Sequence, residues 1–278
     1  MRKKAKGLNF TYVAVAFLVI ASLMPLLWGI LISFKTNGEI VNSPLSWPAD
    51  FSFENYRRAL DVLDLGAMYK NTLILVVFST FLSVVLTFMS SFAITRMHYK
   101  KKKISENIYL YLLIGLAVPV YILLFPIYRI DSTLGILGTR LGLILPYTAI
   151  NVSFNTLLFV GFLRDFPNEV EEAAIIDGCS VFQLCWRVIA PIMKPIIVTV
   201  IIFNAIYVFN EYPFASTFIT DTSKATLSMM SGMFKSQYSM DYSGIIAASF
   251  MIMIPELIFY TYFQKQIISG MTDGAVKG

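Results

Sequence analysis

The sequence predicts an all-α, polytopic membrane protein with six transmembrane helices, and three observations lead there. The 278 residues are 57% hydrophobic and only 14% charged, with a mean hydropathy of +0.69. A soluble domain carries roughly 45–50% apolar and about 25% charged residues. Six apolar runs, 10–34, 71–95, 104–130, 141–163, 195–220 and 243–263, reach the roughly 20 residues needed to cross a bilayer. The runs are solid apolar blocks and not alternating ones, so they read as helices and not as barrel strands. Nothing of domain size remains outside them, which predicts one transmembrane domain over residues 1–278.

The first run follows Arg2, Lys3, Lys4 and Lys6 and is about as long as a full span, with no small-residue cleavage site at its end. It therefore reads as an uncleaved first helix. With that end inside the cell, 14 of the 22 Lys and Arg fall on the inner side, most densely at Lys100 to Lys103 beside a span end. Both termini are then cytoplasmic. The same distribution accounts for the net charge of +5 without nucleic acid. Pro25, Pro119, Pro126, Pro146, Pro213 and Pro255 lie within runs. The pair Pro119 and Pro126, interleaved with Tyr121, Phe125 and Tyr128, predicts a third span that bends beside a cavity. The outer loop 35–70 predicts a short surface helix near 55–63. The outer loop 221–242 is rich in Met, Ser and Tyr. Cys179 and Cys185 have neither metal-ligand spacing nor a nearby His, and His98 sits alone at the inner boundary.

The most polar stretch, 164–194, separates two spans where a few residues would make a turn. Pro167 reads as the first residue of a helix with Asp165 as its cap, and Glu169, Glu171 and Glu172 load the first turns. Gly178 closes that helix, and Ser180 with Gln183 forms a capping box that opens a second one toward Pro191. Ala173 and Ala174 permit close approach, Val170 and Ile176 supply apolar contact, and the acids, Glu169, Glu171 and Glu172 among them, offer polar anchors. This is the form of a helix that docks into a groove on a partner.

Those residues also carry a resemblance. Glu172-Ala173-Ala174, then Gly178, then Val188-Ile189-Ala190-Pro191 is similar to the EAA motif of ABC importer permeases, with Val188 and Ala190 as its two departures. Gly274-Ala275-Val276-Lys277-Gly278 and Phe209-Asn210-Glu211-Tyr212 resemble segments of the carbohydrate branch, in the manner of the second permease of a maltose- or raffinose-type importer. The resemblance implies the type I ABC importer permease fold. It also implies a second homologous permease, an ATPase dimer, an extracellular sugar-binding protein and a sugar substrate. The ATPase-coupling residues would be Glu171, Glu172, Ala173, Ala174, Asp177 and Gly178. Ala275, Val276, Lys277 and Gly278 would make a second ATPase contact.

No Gly-Lys pair occurs, so no Walker A loop is present. The chain is expected to be a non-catalytic subunit with no cofactor or metal of its own, ATP and Mg²⁺ belonging to the ATPase. Polar and aromatic residues of the spans, Tyr121, Tyr128, Asn151, Asn155, Asn204, Asn210, Glu211 and Tyr212, are candidates for the substrate pathway, since such groups are expensive in hydrocarbon. The alternative is a proton-coupled secondary transporter using Glu211 or Glu256.

Overall fold

The computed structural model describes residues 2–97, 99, 102–235 and 240–275, with side chains described from residue 10 and no further than 265. His98 and the tail residues Val276, Lys277 and Gly278 lie outside the described residues, as does the side chain of Ala275. The helices in chain order are α1 (Arg2–Ile32), α2 (Asn37–Asn42), α3 (Glu54–Val62), α4 (Leu65–Arg96), α5 (Lys102–Leu113), α6 (Leu124–Thr133) and α7 (Leu141–Arg164). They continue with α8 (Asn168–Ile176), α9 (Val181–Gln183), α10 (Ala190–Ile192), α11 (Lys194–Asn210), α12 (Pro213–Phe218), α13 (Met230–Met233) and α14 (Tyr242–Ala275). Among the described residues the only β pairing is an isolated bridge between Lys235 and Met240.

Among the described residues four helices are long and apolar enough to cross a membrane, and the number becomes six if two bent pairs each count as one span. The third predicted span is one of these pairs. Its halves meet at 93°, with short 3₁₀ turns at Ile114–Ala117 and Val120–Leu123. Pro119 cannot donate to the turn before it, and it pushes Val118 into extended geometry (ψ 119°). Ser153 donates to the Leu112 carbonyl at 2.6 Å and so satisfies one group freed by the break. Gly115 lies against that hydroxyl, where a side chain would collide with it.

The fifth span is shorter than the predicted 195–220. Helix α11 stops at Asn210, and the chain turns at Glu211 and Tyr212 before α12. Pro213 supplies no donor, and the carboxylate of Glu211 takes the N–H groups of Phe214 (2.9 Å) and Ala215 (3.1 Å). The second span begins earlier than predicted, at Leu65, and the sixth runs on to Ala275.

The chain forms two compact units. The first comprises residues 1–65 and 230–257. In it the fully buried Lys35 donates to the carbonyls of Ser43 (2.8 Å) and Pro44 (3.1 Å) and to the Ser46 hydroxyl (3.2 Å). Helix α3, predicted near 55–63, sends Asn55 to the carbonyls of Ser33 (2.8 Å) and Lys35 (2.9 Å). The second unit comprises residues 66–229 and 258–278. One of its two apolar cores joins Phe88 and Phe92 of α4, Phe159 and Leu163 of α7, and Val200 of α11. The other joins Leu75, Leu143, Tyr147, Val208, Phe214 and Phe218.

In the first unit, Asp241 accepts from Asn37 (3.0 Å), Ser243 (2.8 Å) and the Gly244 N–H (2.9 Å), and pairs with Arg58 at 3.0 Å. Burial pushes its carboxyl up. The hydrogen bonds from Gly244, Ser243 and Asn37 and the Arg58 charge outweigh that and hold it below the ordinary carboxylate range. A depressed folded-state value means the stabilisation is complete above the unfolded value of about 3.9 and is lost as pH falls through the folded one. The melting-temperature gap between the wild type and Asp241→Asn should therefore stay constant from neutral pH to about 5 and close below about 4. A gap independent of pH would show that the charge contributes nothing.

Candidate functional site

The polar stretch between α7 and α11 folds into the predicted pair of short helices, and both of their inner ends are closed. At the end of α8, Gly178 has φ +82°, the left-handed conformation that glycine adopts without a Cβ penalty. The Gly178 N–H donates to the Ile175 carbonyl (3.0 Å) and the Cys179 N–H to the Ala174 carbonyl (3.0 Å), a Schellman closure. Two residues on, the Ser180 hydroxyl accepts from the Gln183 N–H (3.3 Å), and Gln183 Oε1 accepts from the Ser180 N–H (2.8 Å). This is the predicted capping box.

The other end of α8 differs from expectation. Pro167 is its N-cap residue and makes no side-chain cap, and Asp165 instead ends α7. The second helix is not a continuous α-helix either. Leu184–Ile189 is a π-turn, consistent with Pro191 offering no N–H to the Arg187 carbonyl. The wider turn brings Leu184, Cys185 and Ile189 together into the apolar core of α4, α7 and α11. Phe88 meets Trp186 at 5.5 Å and Phe159 edge-on at 5.7 Å.

Helix α8 is attached by charge. Arg96, in the last turn of α4, donates through Nε to both oxygens of Glu171 (2.7 and 2.8 Å), and its Nη2 lies 2.6 Å from Oε1. The same Nη2 donates to the Leu163 carbonyl in the last turn of α7 (2.6 Å). The guanidinium thus sits where two helix C-termini place negative potential, and Glu171 sits in the opening turns of α8, where potential is positive. The side chains are only 16% and 11% exposed. Removing one partner of such a pair costs about 3–5 kcal/mol.

The remaining candidates of this stretch divide by direction. Glu171 and Ala174 face inward, whereas Glu172, Ala173, Asp177 and Gly178 are exposed. Beside them the apolar side chains of Ile175, Ile176, Val181 and Phe182 are 59%, 85%, 62% and 69% exposed. The Gly178 turn therefore presents an apolar tip, with Asp177 at the turn and Glu172 one helical turn back exposed beside it.

The polar residues of the spans also separate. Asn151 and Asn204 line one cavity of about 270 Å³ with Ile150, Phe154, Phe203 and Tyr207. Asn155 and Asn204 both direct Nδ2 to Ser83 Oγ, at 3.5 and 2.9 Å. Asn151 bonds the Tyr147 carbonyl (2.8 Å), and Asn210 bonds the Ile206 carbonyl (3.0 Å). Glu211 accepts from the Tyr147 hydroxyl (2.5 Å) in addition to its two backbone donors. Tyr128 packs edge-on against Phe218 at 5.7 Å. Tyr121 and Tyr212 are exposed and lie outside the cavity lining, and Glu256 is half-buried in α14.

Sequence reasoning missed Arg96, Tyr207 and a stripe of small hydroxyls, Ser79, Ser83, Thr87 and Ser91, every fourth residue along α4 and all buried. That spacing was present in the sequence and is the signal of close helix contact in a membrane.

Helices, broken spans and a capped pair at one bundle end define a polytopic membrane subunit. Comparison gives the family. The chain belongs to the family described as binding-protein-dependent transport system inner membrane component, whose model matches residues 88–272. It is 32% identical to the diacetylchitobiose uptake system permease protein NgcG of Streptomyces coelicolor, over 97% of this chain and 90% of that one. It is 28% identical to the melibiose/raffinose/stachyose import permease protein MelC of Bacillus subtilis, over 99% of each. Its fold matches a chain of the crystal structure of a bacterial ABC transporter involved in the import of the acidic polysaccharide alginate. The TM-score is 0.77 and the identity 21%, over 95% of this chain and 98% of that one. The chain is thus a multi-pass inner-membrane transport subunit and not an enzyme.

The Gly178 turn gives a direct test of the capped pair. Gly178→Ala should cost about 1–2 kcal/mol for a left-handed alanine. Gly178→Pro, which also deletes the N–H to Ile175, should cost more and should raise the alkylation rate of half-buried Cys179. Equal melting temperatures for the two variants would contradict the role of the turn.

Proposed function

We propose that the chain is the permease subunit of an ABC importer for a sugar or oligosaccharide, and that residues 168–192 dock on a separate ATPase. The observation that carries the docking is the tip around Gly178: four exposed apolar side chains at a closed, rigid turn whose inner side is built into the bundle. A contiguous exposed patch of this kind marks a binding surface. Lipid is a poor occupant, because Glu172 and Asp177 lie beside the patch and an anionic inner leaflet would repel them. A protein groove with basic residues suits it better.

The Lys and Arg distribution supports a cytoplasmic position for this end and for both termini. ATP and Mg²⁺ would be bound by the ATPase dimer, and Ala275 to Gly278 would make its second contact. The names of the relatives support a sugar as substrate, and the family's description supports its delivery by a binding protein. A second homologous permease would complete the pathway, with this chain contributing the cavity of Asn151, Asn204 and Tyr207. Glu211 serves within it as the cap of a bent span, since its carboxylate already takes three donors. That occupancy, with the family assignment, disfavours a proton-coupled carrier.

The double variant Ile176→Asp with Phe182→Asp should insert and fold normally. It should lose the co-purifying ATPase and, with it, binding-protein-dependent sugar uptake. Retention of both by a correctly inserted variant would contradict the docking assignment.

A further inference from the structure

We infer that Arg96 and Glu171 form a strut that carries displacement of the docking helix into the spans, so that Glu171 is a positioning residue and not part of the docked surface. The inference rests on 168–192 being the ATPase-docking element. It assigns to Glu171 and to Arg96, a residue outside that element, a task distinct from docking.

Three observations carry it. First, α8 has nine residues, and only Glu171 and Ala174 among them are buried. An alanine methyl offers little apolar area, so within α8 itself the attachment falls chiefly on Glu171, with Phe166 anchored in the apolar core just ahead of the helix. The second half of the pair differs, because Leu184, Cys185 and Ile189 anchor it in the apolar core. Second, one guanidinium joins three helix ends. It contacts both Glu171 oxygens at 2.7 and 2.8 Å and the Leu163 carbonyl at 2.6 Å, and is itself part of α4. Third, Glu171 turns away from the tip, while its neighbour Glu172 is exposed.

Apolar contacts are non-directional, so an α8 held by them could slide or rock when pushed. A charge-assisted bond to two oxygens fixes both distance and orientation. Buried ion pairs are weak evidence for stability, since apolar pairs of similar volume often replace them without loss. That property separates transmission from stability. Arg96→Met with Glu171→Leu should keep the fold while removing the directional contact.

The test uses the full transporter in proteoliposomes, with its ATPase, partner permease and binding protein. The readouts are substrate transported per ATP hydrolysed, ATPase retained in the complex, and melting temperature. In Glu171→Gln and in Arg96→Met/Glu171→Leu, transport per ATP should fall by about tenfold or more, with the ATPase still bound. Arg96→Lys, which keeps charge but not the fork, should fall less.

Wild-type transport per ATP in Glu171→Gln and in the apolar pair would overturn the strut. So would loss of ATPase binding in step with the loss of coupling, because Glu171 would then belong to the docked surface. Failure of the wild-type chain to retain any ATPase is a different result, and it would sink the docking assignment itself.

Discussion

One guanidinium holds the ends of three helices. Arg96 closes the last turn of α4, donates to the last turn of α7 and pairs with Glu171 near the start of α8. Helix ends leave backbone groups without intrahelical partners, and the polar stretch 164–194 gathers several such ends in one place. Its order therefore depends on how those ends are closed. The Schellman turn at Gly178, the capping box at Ser180 and the Arg96 contact do this locally, and the π-turn at 184–189 then directs the apolar side chains into the bundle. A segment closed at its turn and anchored on its inner face can present its outer face, from Ile175 to Phe182, as a rigid body.

The spans behind it answer the complementary constraint, that backbone groups freed in hydrocarbon must find partners. The fifth span breaks at Pro213, and Glu211 repairs the break by capping α12 and taking the Tyr147 hydroxyl. The third span breaks at Pro119, and Ser153 repairs it. The hydroxyls of Ser79, Ser83 and Thr87 return to carbonyls of α4 itself, which leaves a smooth, small-residue face for close packing. Asn155 and Asn204 converge on Ser83 and tie α7 and α11 to that face.

Composition and run length were enough to reveal the helical class and the positions of the spans, because hydrocarbon leaves few other solutions. The capped pair was legible for a similar reason: Gly178, Ser180 and Gln183 act locally, within four residues of their partners. Breaks were less legible. Pro119 pointed to a bend, but Pro213 sat in a run apolar enough to hide the end of α11 at Asn210. Partnerships distant in sequence were not legible at all. Arg96 lies 75 residues from Glu171, and no local pattern distinguishes Glu171, which turns inward, from Glu172, which does not. The asparagines of the spans read as pathway groups because polar residues there are rare. Only the packing shows that Asn155 is a tie between helices and that Asn151 and Asn204 share a cavity with Tyr207.

The helix pair and the spans it joins are expected to move as one body. Spin labels at Ile176, on the exposed tip, and at Leu157, on an exposed position of α7, report this directly. Their distance distribution should be narrow and the same in the nucleotide-free and ATP-bound transporter. A distribution that shifts or broadens on ATP binding, with the transporter still active, would show that the pair flexes against the bundle and would contradict the account.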